Sequence, residues 1–184
     1  PVNTRLAPPE VSYLLDDATP QVLLHEESLA PLVGAACALA KRPPPVRLAA
    51  GGADDAYERA LGGESDAEPP ACLEADAPML LLYTSGTTGV PKGALLPHRK
   101  TLFNSLNAAL FFELTARDRV LVPLPLFHSF GLTILAIPAL YAGGCVVLER
   151  GFDPVRIWDR VAAERITLLG AVPTMLQAMR EALE

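Results

Sequence analysis

The sequence predicts an α/β protein in which strands and helices alternate around a mostly parallel sheet. Short apolar runs of strand length, such as residues 80–82, alternate with longer segments of helical spacing, such as residues 99–112. Proline and glycine mark several of the boundaries, as at Pro20 and Gly143. Strands separated by helices of this length are typical of βαβ units, for which right-handed crossovers are the default.

Length and composition describe a globular protein. With 184 residues, of which 51% are hydrophobic and 20% charged, the chain can bury one good-sized core or parts of two. The formal net charge of −6 argues against a nucleic-acid partner, because phosphate backbones are held by basic surfaces.

Cysteine usage and hydropathy indicate a cytoplasmic protein without a transmembrane segment. Cys37, Cys72 and Cys145 are widely spaced and lack metal-binding spacing, so we expect small buried residues in a reducing compartment and no zinc site. The first residues show no signal peptide. The longest apolar stretches, residues 29–40 and 132–141, are too short to span a bilayer.

The sequence predicts a helix, a strand, a second helix and a second strand in the N-terminal part. Apolar spacing predicts a helix over residues 10–16 that Pro20 stops before a strand at 22–24. A helix is expected over residues 28–40 with Ser28 as its N-cap, followed by a strand at 46–48.

Composition changes over residues 49–76, which are rich in glycine, alanine, acidic residues and proline. We interpret them as a surface connection with one short helix at 54–61 and assign them no chemistry. Residues 1–76 are therefore predicted to form a partial α/β subdomain, and residues 77–184 a second α/β segment that carries both motifs considered below.

The second segment continues the alternation. A strand at 94–96 is expected to form a hairpin or short crossover with residues 80–82, and a helix follows over residues 99–112. The apolar side chains predicted to share one face of that helix are Leu102, Phe103, Leu106, Ala109 and Leu110. The remaining elements are strands at 119–122, 145–148 and 167–171, and helices reaching Leu140, over 154–164 and from Pro173.

Polar residues at element ends are given structural roles. We expect His98 to cap the start of the helix at 99–112 and Asp153 to be the N-cap of the helix at 154–164. Trp158 is assigned to the core, and the charges between residues 149 and 165 to a solvated helical face.

Residues 83–93 suit a polyphosphate. Four hydroxyl side chains and three glycines precede or flank a lysine: Thr84, Ser85, Thr87, Thr88, Gly86, Gly89, Gly93 and Lys92. Glycine permits close backbone approach, loop N–H groups converge on anions, and lysine supplies a point charge. A Walker A loop is excluded because Pro91 precedes the lysine. The plainer alternative, a polar turn between two strands, is disfavoured by this density of donors. We call residues 83–93 the phosphate loop.

A second chemical stretch lies at residues 123–132. His128 stands beside Phe127, Phe130 and Gly131 among uncharged, proline-rich neighbours. A histidine satisfied by a backbone carbonyl at a helix start is one interpretation. Two aromatic rings and a glycine instead suit the wall of an apolar pocket with a single polar group.

Both stretches resemble motifs of the adenylate-forming enzymes, which include acyl-CoA synthetases, luciferases and the adenylation domains of peptide synthetases. Residues 84–93 are similar to the phosphate-binding loop of that family, and residues 124–131 to the acyl-pocket motif of its acyl- and aryl-CoA synthetases. We call residues 123–132 the acyl motif. The resemblance covers nearly the whole chain, is weakest over 49–76, and implies part of the family's large N-terminal domain.

The resemblance implies roles for individual residues. The positions matched to ATP binding are Thr84, Ser85, Gly86, Thr87, Thr88, Gly89 and Lys92. Thr84 corresponds to a ligand of Mg²⁺, and Lys92 to a catalytic lysine that steadies departing pyrophosphate. The acid-binding positions are Phe127, His128, Phe130 and Gly131, with His128 also catalytic as a gate between the acyl and pantetheine sites.

The implied reaction joins a carboxylic acid to ATP as an acyl-adenylate and passes the acyl group to coenzyme A. Because no acidic residue stands between Pro123 and Tyr141, an amino-acid substrate is disfavoured and a fatty or other apolar acid is expected. Two alternatives stay open: an acyl-AMP ligase that loads a carrier protein, and a non-catalytic nucleotide-binding module.

The chain also departs from the family pattern. It has no Tyr-Gly-x-Thr-Glu stretch to complete the metal site and no following Thr-Gly-Asp to hold the ribose. It resembles a middle slice of a longer synthetase, and we expect the slice alone not to turn over.

Overall fold

The computed structural model describes residues 1–53, 55–68, 74–84 and 90–183. Within these residues the chain forms seven α-helices and seven strands, which confirms the predicted α/β class. Two compact units are present, one spanning Val2–Cys72 and the other Leu73–Glu184. Among the described residues, no helix is both long and apolar enough to cross a membrane.

The first unit alternates helices and strands as the sequence predicts. Its elements are α1 (Pro8–Ala18), β1 (Val22–Glu26), α2 (Ala30–Leu39), β2 (Val46–Ala50) and α3 (Ala56–Gly62). The two strands pair in parallel, in register from Val22 opposite Val46 to Glu26 opposite Ala50.

The core of this unit lies between α1 and α2. Val11 and Leu15 from α1 pack with Val33, Ala36 and Cys37 from α2, and all five are buried. The predicted burial of Cys37 is therefore confirmed. The predicted burial of Cys145 is wrong, because this residue is exposed at the start of an edge strand in the second unit, and Cys72 lies outside the described residues.

Local hydrogen bonds and proline fix the helix ends in this unit. The predicted N-cap role of Ser28 is wrong: a 3₁₀ turn occupies Glu27–Leu29, and α2 begins at Ala30. Pro31 falls in the first turn of α2, where its missing N–H has no intrahelical partner to lose, so the start lies later than predicted. Asp55 caps α3 by accepting a hydrogen bond from the Glu58 N–H at 2.9 Å.

The second unit opens with an antiparallel hairpin that leads directly into a helix. β3 (Pro78–Thr84) pairs with β4 (Lys92–Pro97), and α4 (His98–Phe111) follows without a break. Of the predicted hairpin or crossover, the structure has the hairpin. The predicted cap role of His98 is wrong, because the N-cap position is Pro97 and no side-chain cap bond forms there.

The rest of the second unit is built around a three-stranded parallel sheet with the order β6-β5-β7. After β5 (Arg119–Val122) the chain forms a π-helix (Phe130–Ala136), α5 (Ile137–Tyr141) and β6 (Cys145–Leu148). It then forms α6 (Pro154–Ala163), a strand β7 that is only Leu168–Leu169, and α7 (Pro173–Glu181). The predicted helix to Leu140 is thus a π-helix followed by a short α-helix.

The central strand β5 is buried on both faces. Val120 and Val122 pack with Leu135, Ala136 and Ala139 of the π-helix and α5. Leu121, on the opposite face, packs with Ile157 of α6 and Met179 of α7. Alternate residues of a strand point to opposite faces, so three consecutive valine and leucine side chains hold helices on both sides of the sheet.

The apolar face predicted for α4 is not the face that the structure buries. Its buried residues are Thr101, Ser105 and Ala108, whereas Phe103 and Leu110 have 57% and 78% of their surface exposed. Small side chains at this spacing let α4 lie close to the π-helix and α5, against which it packs. The hydroxyl of Ser105 is satisfied within the helix by the Thr101 carbonyl at 2.8 Å, so its burial carries no unpaired polar group.

Polar contacts fasten the ends of the sheet. Asp118, just before β5, accepts hydrogen bonds from the Thr167 hydroxyl at 2.8 Å and from the N–H and hydroxyl of Thr115 at 2.7 and 2.9 Å. The Thr167 hydroxyl, followed by the two Thr115 donors, lowers the pKa of Asp118 below its ordinary value.

The prediction of a solvated charged face is wrong for Glu149. Its side chain is only 4% exposed and accepts from Arg156 at 2.9 Å and Arg160 at 2.5 Å. The Glu149 N–H donates to the Val122 carbonyl at 3.3 Å, which extends the pairing of β6 with β5 by one residue and places Glu149 next to α6.

The predictions for α6 itself are confirmed. Asp153 is its N-cap, accepting from the Arg156 N–H at 3.0 Å. Trp158 is half-buried in the core, where its indole N–H donates to the Met179 carbonyl at 2.8 Å and joins α6 to α7.

Candidate functional site

Thr84 and Lys92 face each other at the open end of the hairpin. They are cross-strand partners, and the Thr84 hydroxyl lies 3.4 Å from the Lys92 carbonyl to which it donates. Both residues are exposed. The two residues predicted to act as metal ligand and catalytic lysine are therefore brought together, at the two ends of the phosphate loop.

The middle of the phosphate loop lies outside the described residues. Ser85, Gly86, Thr87, Thr88 and Gly89 are the positions concerned. Their predicted contacts with ATP stay predictions.

Gly93 has a packing role that sequence reasoning did not assign. It lies opposite Tyr83 in the hairpin, and a Cβ at this position would come within 2.8 Å of Leu81 Cδ1 and 3.3 Å of Tyr83 Cε1. The side chains of Leu81 and Tyr83 therefore occupy the space that a side chain at position 93 would need, although Gly93 itself is exposed. This contact braces the hairpin next to Thr84 and Lys92.

The acyl motif begins at the carboxyl end of β5 and folds back on itself. The His128 N–H donates to the Pro125 carbonyl at 3.2 Å, and the Leu132 N–H donates to the His128 carbonyl at 3.1 Å. A Cβ on Gly131 would lie 2.8 Å from the Pro125 oxygen and 3.0 Å from the Leu124 oxygen. Glycine is required at position 131 because backbone atoms occupy the space of any side chain.

The four predicted acid-binding residues lie within this turn. The rings of Phe127 and His128 are 5.1 Å apart at 45°. His128 is exposed, while Phe130 is half-buried against the core beside β5 and Gly131 is buried. The turn therefore presents the imidazole at the surface on an apolar base. In open α/β sheets, ligands bind outside the carboxyl ends of the strands, where this turn is located.

The acyl motif runs directly into the π-helix, which starts at Phe130. π-helical turns are rare and occur mostly at functional sites. Thr133 is buried within it, and its hydroxyl donates to the Ser129 carbonyl at 2.9 Å. The amide of Asn104 in α4 donates to the Thr133 carbonyl at 2.5 Å.

Two residues that contact the π-helix were not predicted from the sequence. Asn104 was missed because its partner lies 29 residues away. Gly170 follows β7, and a Cβ there would come within 2.2 Å of Leu135 Cδ1 in the π-helix. A glycine directly after an apolar strand is a signal of close packing, and it was available in the sequence.

Helix α4 connects the two motifs. It continues from β4 and packs on both strands of the hairpin. It also packs on the π-helix and on α5. The hairpin that bears Thr84 and Lys92 and the π-helix that begins within the acyl motif thus both pack on one helix of the second unit.

The described residues contain no group of three or more His, Cys, Asp or Glu side chains that could hold a metal ion. The hydroxyl of Thr84 is a hard oxygen ligand of the kind Mg²⁺ accepts. One such ligand fits a Mg²⁺ ion that arrives on the phosphates of a nucleotide, because Mg²⁺ commonly keeps most of its coordination in phosphate and water oxygens.

A family model described as "AMP-binding enzyme" matches residues 1–184. The chain belongs to the AMP-binding, adenylate-forming enzyme family. The resemblance inferred from the phosphate loop and the acyl motif is confirmed by this match.

Relatives in the family include CoA ligases of different acids. The chain is 39% identical to the feruloyl-CoA synthase of an Amycolatopsis species, over 97% of this chain and 34% of that protein. It is 36% identical to the long-chain-fatty-acid–CoA ligase FadD13 of Mycobacterium tuberculosis, over 98% of this chain and 35% of that protein. The chain spans about a third of the length of these curated relatives.

Solved structures of the family share its fold. The inhibitor-bound N-terminal domain of FACL13 from Mycobacterium tuberculosis matches with a TM-score of 0.85 and 34% identity, over 98% of this chain and 45% of that one. ATP-bound MatB from Rhodopseudomonas palustris matches with a TM-score of 0.83 and 33% identity, over 97% and 35% of the two chains. The predicted assignment to part of the N-terminal domain agrees with these matches.

Proposed function

We propose that this chain is the part of an ATP-dependent acyl-CoA synthetase that holds the β- and γ-phosphates of ATP and one wall of the acid site. The observation that carries the proposal is the pairing of Thr84 with Lys92 at the ends of a hydroxyl- and glycine-rich loop, in a chain of the AMP-binding family. The CoA ligases among its relatives favour coenzyme A over a carrier protein as the acceptor.

The first half-reaction requires two anions to meet. An oxygen of the acid's carboxylate attacks the α-phosphorus of ATP, the bond to the β-phosphate oxygen breaks, and pyrophosphate leaves. Positioning and charge neutralisation supply most of the catalysis in transfers of this kind. Lys92, which is exposed at the loop end, balances charge on the departing pyrophosphate, and the loop hydroxyls donate to phosphate oxygens. Mg²⁺, held in part by Thr84, neutralises phosphate charge when it is bound.

The second half-reaction transfers the acyl group. The thiol sulfur of coenzyme A forms a bond to the acyl carbon, AMP leaves, and the thiol proton goes to solvent or a base. We assign His128, exposed on the acyl motif, to the passage between the acid and pantetheine sites. Phe127 and Phe130 supply apolar surface, and the acyl motif brings no acidic side chain that would pair with a substrate amine. The substrate class is therefore an apolar carboxylic acid.

A lysine substitution tests the phosphate role. In the full-length ligase that contains these residues, Lys92→Ala is expected to lower acid-dependent pyrophosphate release on the order of 100-fold, the typical cost of removing one preorganised donor. Lys100→Ala is the matched control, because Lys100 is an exposed lysine on α4 outside the loop. Equal rates in the two variants would exclude Lys92 from the reaction.

Separate assays of the two half-reactions test His128 and the acceptor. His128→Ala is expected to lower thioester formation more than adenylate formation, because the gate acts after the adenylate exists. Offering coenzyme A and a carrier protein in parallel identifies the acceptor.

The 184 residues alone are expected to release no pyrophosphate, and measurable ATP- and acid-dependent release from them would contradict that expectation.

A further inference from the structure

The π-helix that begins within the acyl motif has a backbone carbonyl that the helix itself does not satisfy. The Ile137 N–H donates five residues back to the Leu132 carbonyl, as the π pattern requires. The donor for the next carbonyl, that of Thr133, would be the N–H of residue 138. Residue 138 is proline, which has no N–H, so the Thr133 carbonyl lacks its helical partner.

Asn104 supplies that missing donor from another element. Its Nδ2 lies 2.5 Å from the Thr133 carbonyl oxygen. Both ends of this bond are shielded, since Thr133 is buried with 3% exposure and Asn104 is half-buried in the face of α4 that contacts the π-helix. A buried carbonyl left without a donor is costly, which makes this contact a strong constraint on where the π-helix lies.

The constraint reaches the acyl motif through three residues. The Thr133 hydroxyl holds the Ser129 carbonyl at 2.9 Å, and Ser129 stands between His128 and Phe130. Asn104, Thr133 and Ser129 thus form a chain of contacts from α4 to the residues assigned to the acid. Because α4 continues directly from β4, the same helix also positions the hairpin that bears Lys92.

We propose that Asn104 is a positioning residue for acid binding: its side-chain amide replaces the N–H that Pro138 lacks and so fixes the π-helix that presents the acyl motif. The proposal rests on the proposed function for its effect on the acid, and on the geometry alone for its effect on the π-helix. It differs from a general packing role in one respect, which is that restoring a backbone donor at position 138 makes the side chain dispensable.

Four variants of the full-length ligase test this: Asn104→Leu, Pro138→Ala, the double variant, and Asn107→Leu. Asn104→Leu removes the donor while keeping a branched side chain of four heavy atoms, and Asn107→Leu makes the same change at an exposed position of α4. We expect Asn104→Leu to raise the KM for the acid by roughly 10- to 100-fold, the range for a displaced binding element, with the KM for ATP unchanged. Asn107→Leu is expected to change neither KM.

The double variant gives the deciding result. If Asn104 acts as the substitute donor, Pro138→Ala restores most of the acid KM in the Asn104→Leu background, measured against Pro138→Ala alone. The proposal is overturned if Asn104→Leu behaves like Asn107→Leu, if the KM values for acid and ATP rise together, or if Pro138→Ala gives no rescue.

Amide hydrogen exchange on the 184-residue chain separates this proposal from the proposed function. Asn104→Leu is expected to speed exchange within residues 130–137 and to leave β5 and β6 unchanged, and Pro138→Ala is expected to reverse the effect. If the wild-type ligase consumes no acid, the proposed function fails, and this local pattern still decides whether Asn104 fixes the π-helix. Uniform or absent changes in exchange would overturn the proposal.

Discussion

Gly131→Ala is the substitution for which the structure gives the sharpest expectation. The new Cβ would lie 2.8 Å from the Pro125 oxygen and 3.0 Å from the Leu124 oxygen. Both are backbone atoms, so relief requires the whole turn of the acyl motif to shift rather than one side chain to rotate. Inserting a methyl group into packed surroundings costs about 1 to 3 kcal/mol, and a contact with fixed backbone belongs at the upper end of that range.

Gly151→Ala is the matched control. A Cβ on Gly151 meets nothing within 4 Å, and this glycine lies in an exposed position of the same unit. A surface change of this kind is expected to alter the free energy of unfolding by less than about 0.5 kcal/mol. Urea unfolding of the two variants of the 184-residue chain measures the difference directly.

The same substitution has a functional consequence in the full-length ligase. A turn displaced by the added methyl group moves Phe127 and His128 together, so the KM for the acid is expected to rise in Gly131→Ala and to stay unchanged in Gly151→Ala. The reasoning would be refuted if the two variants unfolded with free energies within about 0.5 kcal/mol of each other.

Three further predictions concern stability. Because the pKa of Asp118 is lowered in the folded state, first by the Thr167 hydroxyl and then by Thr115, its contribution to the free energy of unfolding is present above the unfolded pKa of about 3.9 and lost as pH falls through the lower folded value. Asp118→Asn is expected to flatten that part of the curve of unfolding free energy against pH, and an unchanged slope would contradict it. Glu149→Gln is expected to lower the free energy of unfolding by about 1 to 3 kcal/mol in urea titrations, because two charge-assisted bonds to a side chain only 4% exposed are weakened. Arg156→Ala is expected to lower the free energy of unfolding by less than Glu149→Gln does, because Arg160 keeps its bond to the Glu149 carboxylate. An equal or larger loss in Arg156→Ala would contradict this account of the two arginine bonds.

The order of helices and strands was predictable because its signals are local. Apolar runs, helical spacing and proline positions placed every strand of the second unit within a few residues, together with α4, α6 and the cap at Asp153. The starts of helices were less predictable where two signals compete. Ser28 is a good capping residue, but α2 begins later, at Ala30, because Pro31 fits best in the first turn of the helix.

The candidate site was predictable in its composition but only partly in its construction. The match to the AMP-binding family confirms the family that the phosphate loop and the acyl motif indicated. The roles of Thr84, Lys92 and His128 stay predictions. The π-helix after His128 was not predicted, because the α4 donor that satisfies its Thr133 carbonyl leaves no signal in the periodicity of the π-helix residues.

By itself the sequence determined the alternation of strands and helices, the residue types available to bind phosphate and acid, and the family. Only the tertiary structure decided that α4 buries Thr101, Ser105 and Ala108 instead of its larger apolar side chains, and that Asn104 reaches the Thr133 carbonyl. The physical reason is that periodicity reports which side chains share a face, whereas burial depends on the shape and unsatisfied polar groups of the surface that the face meets. That surface is contributed by residues about 30 positions further along the chain, where no local pattern can register it.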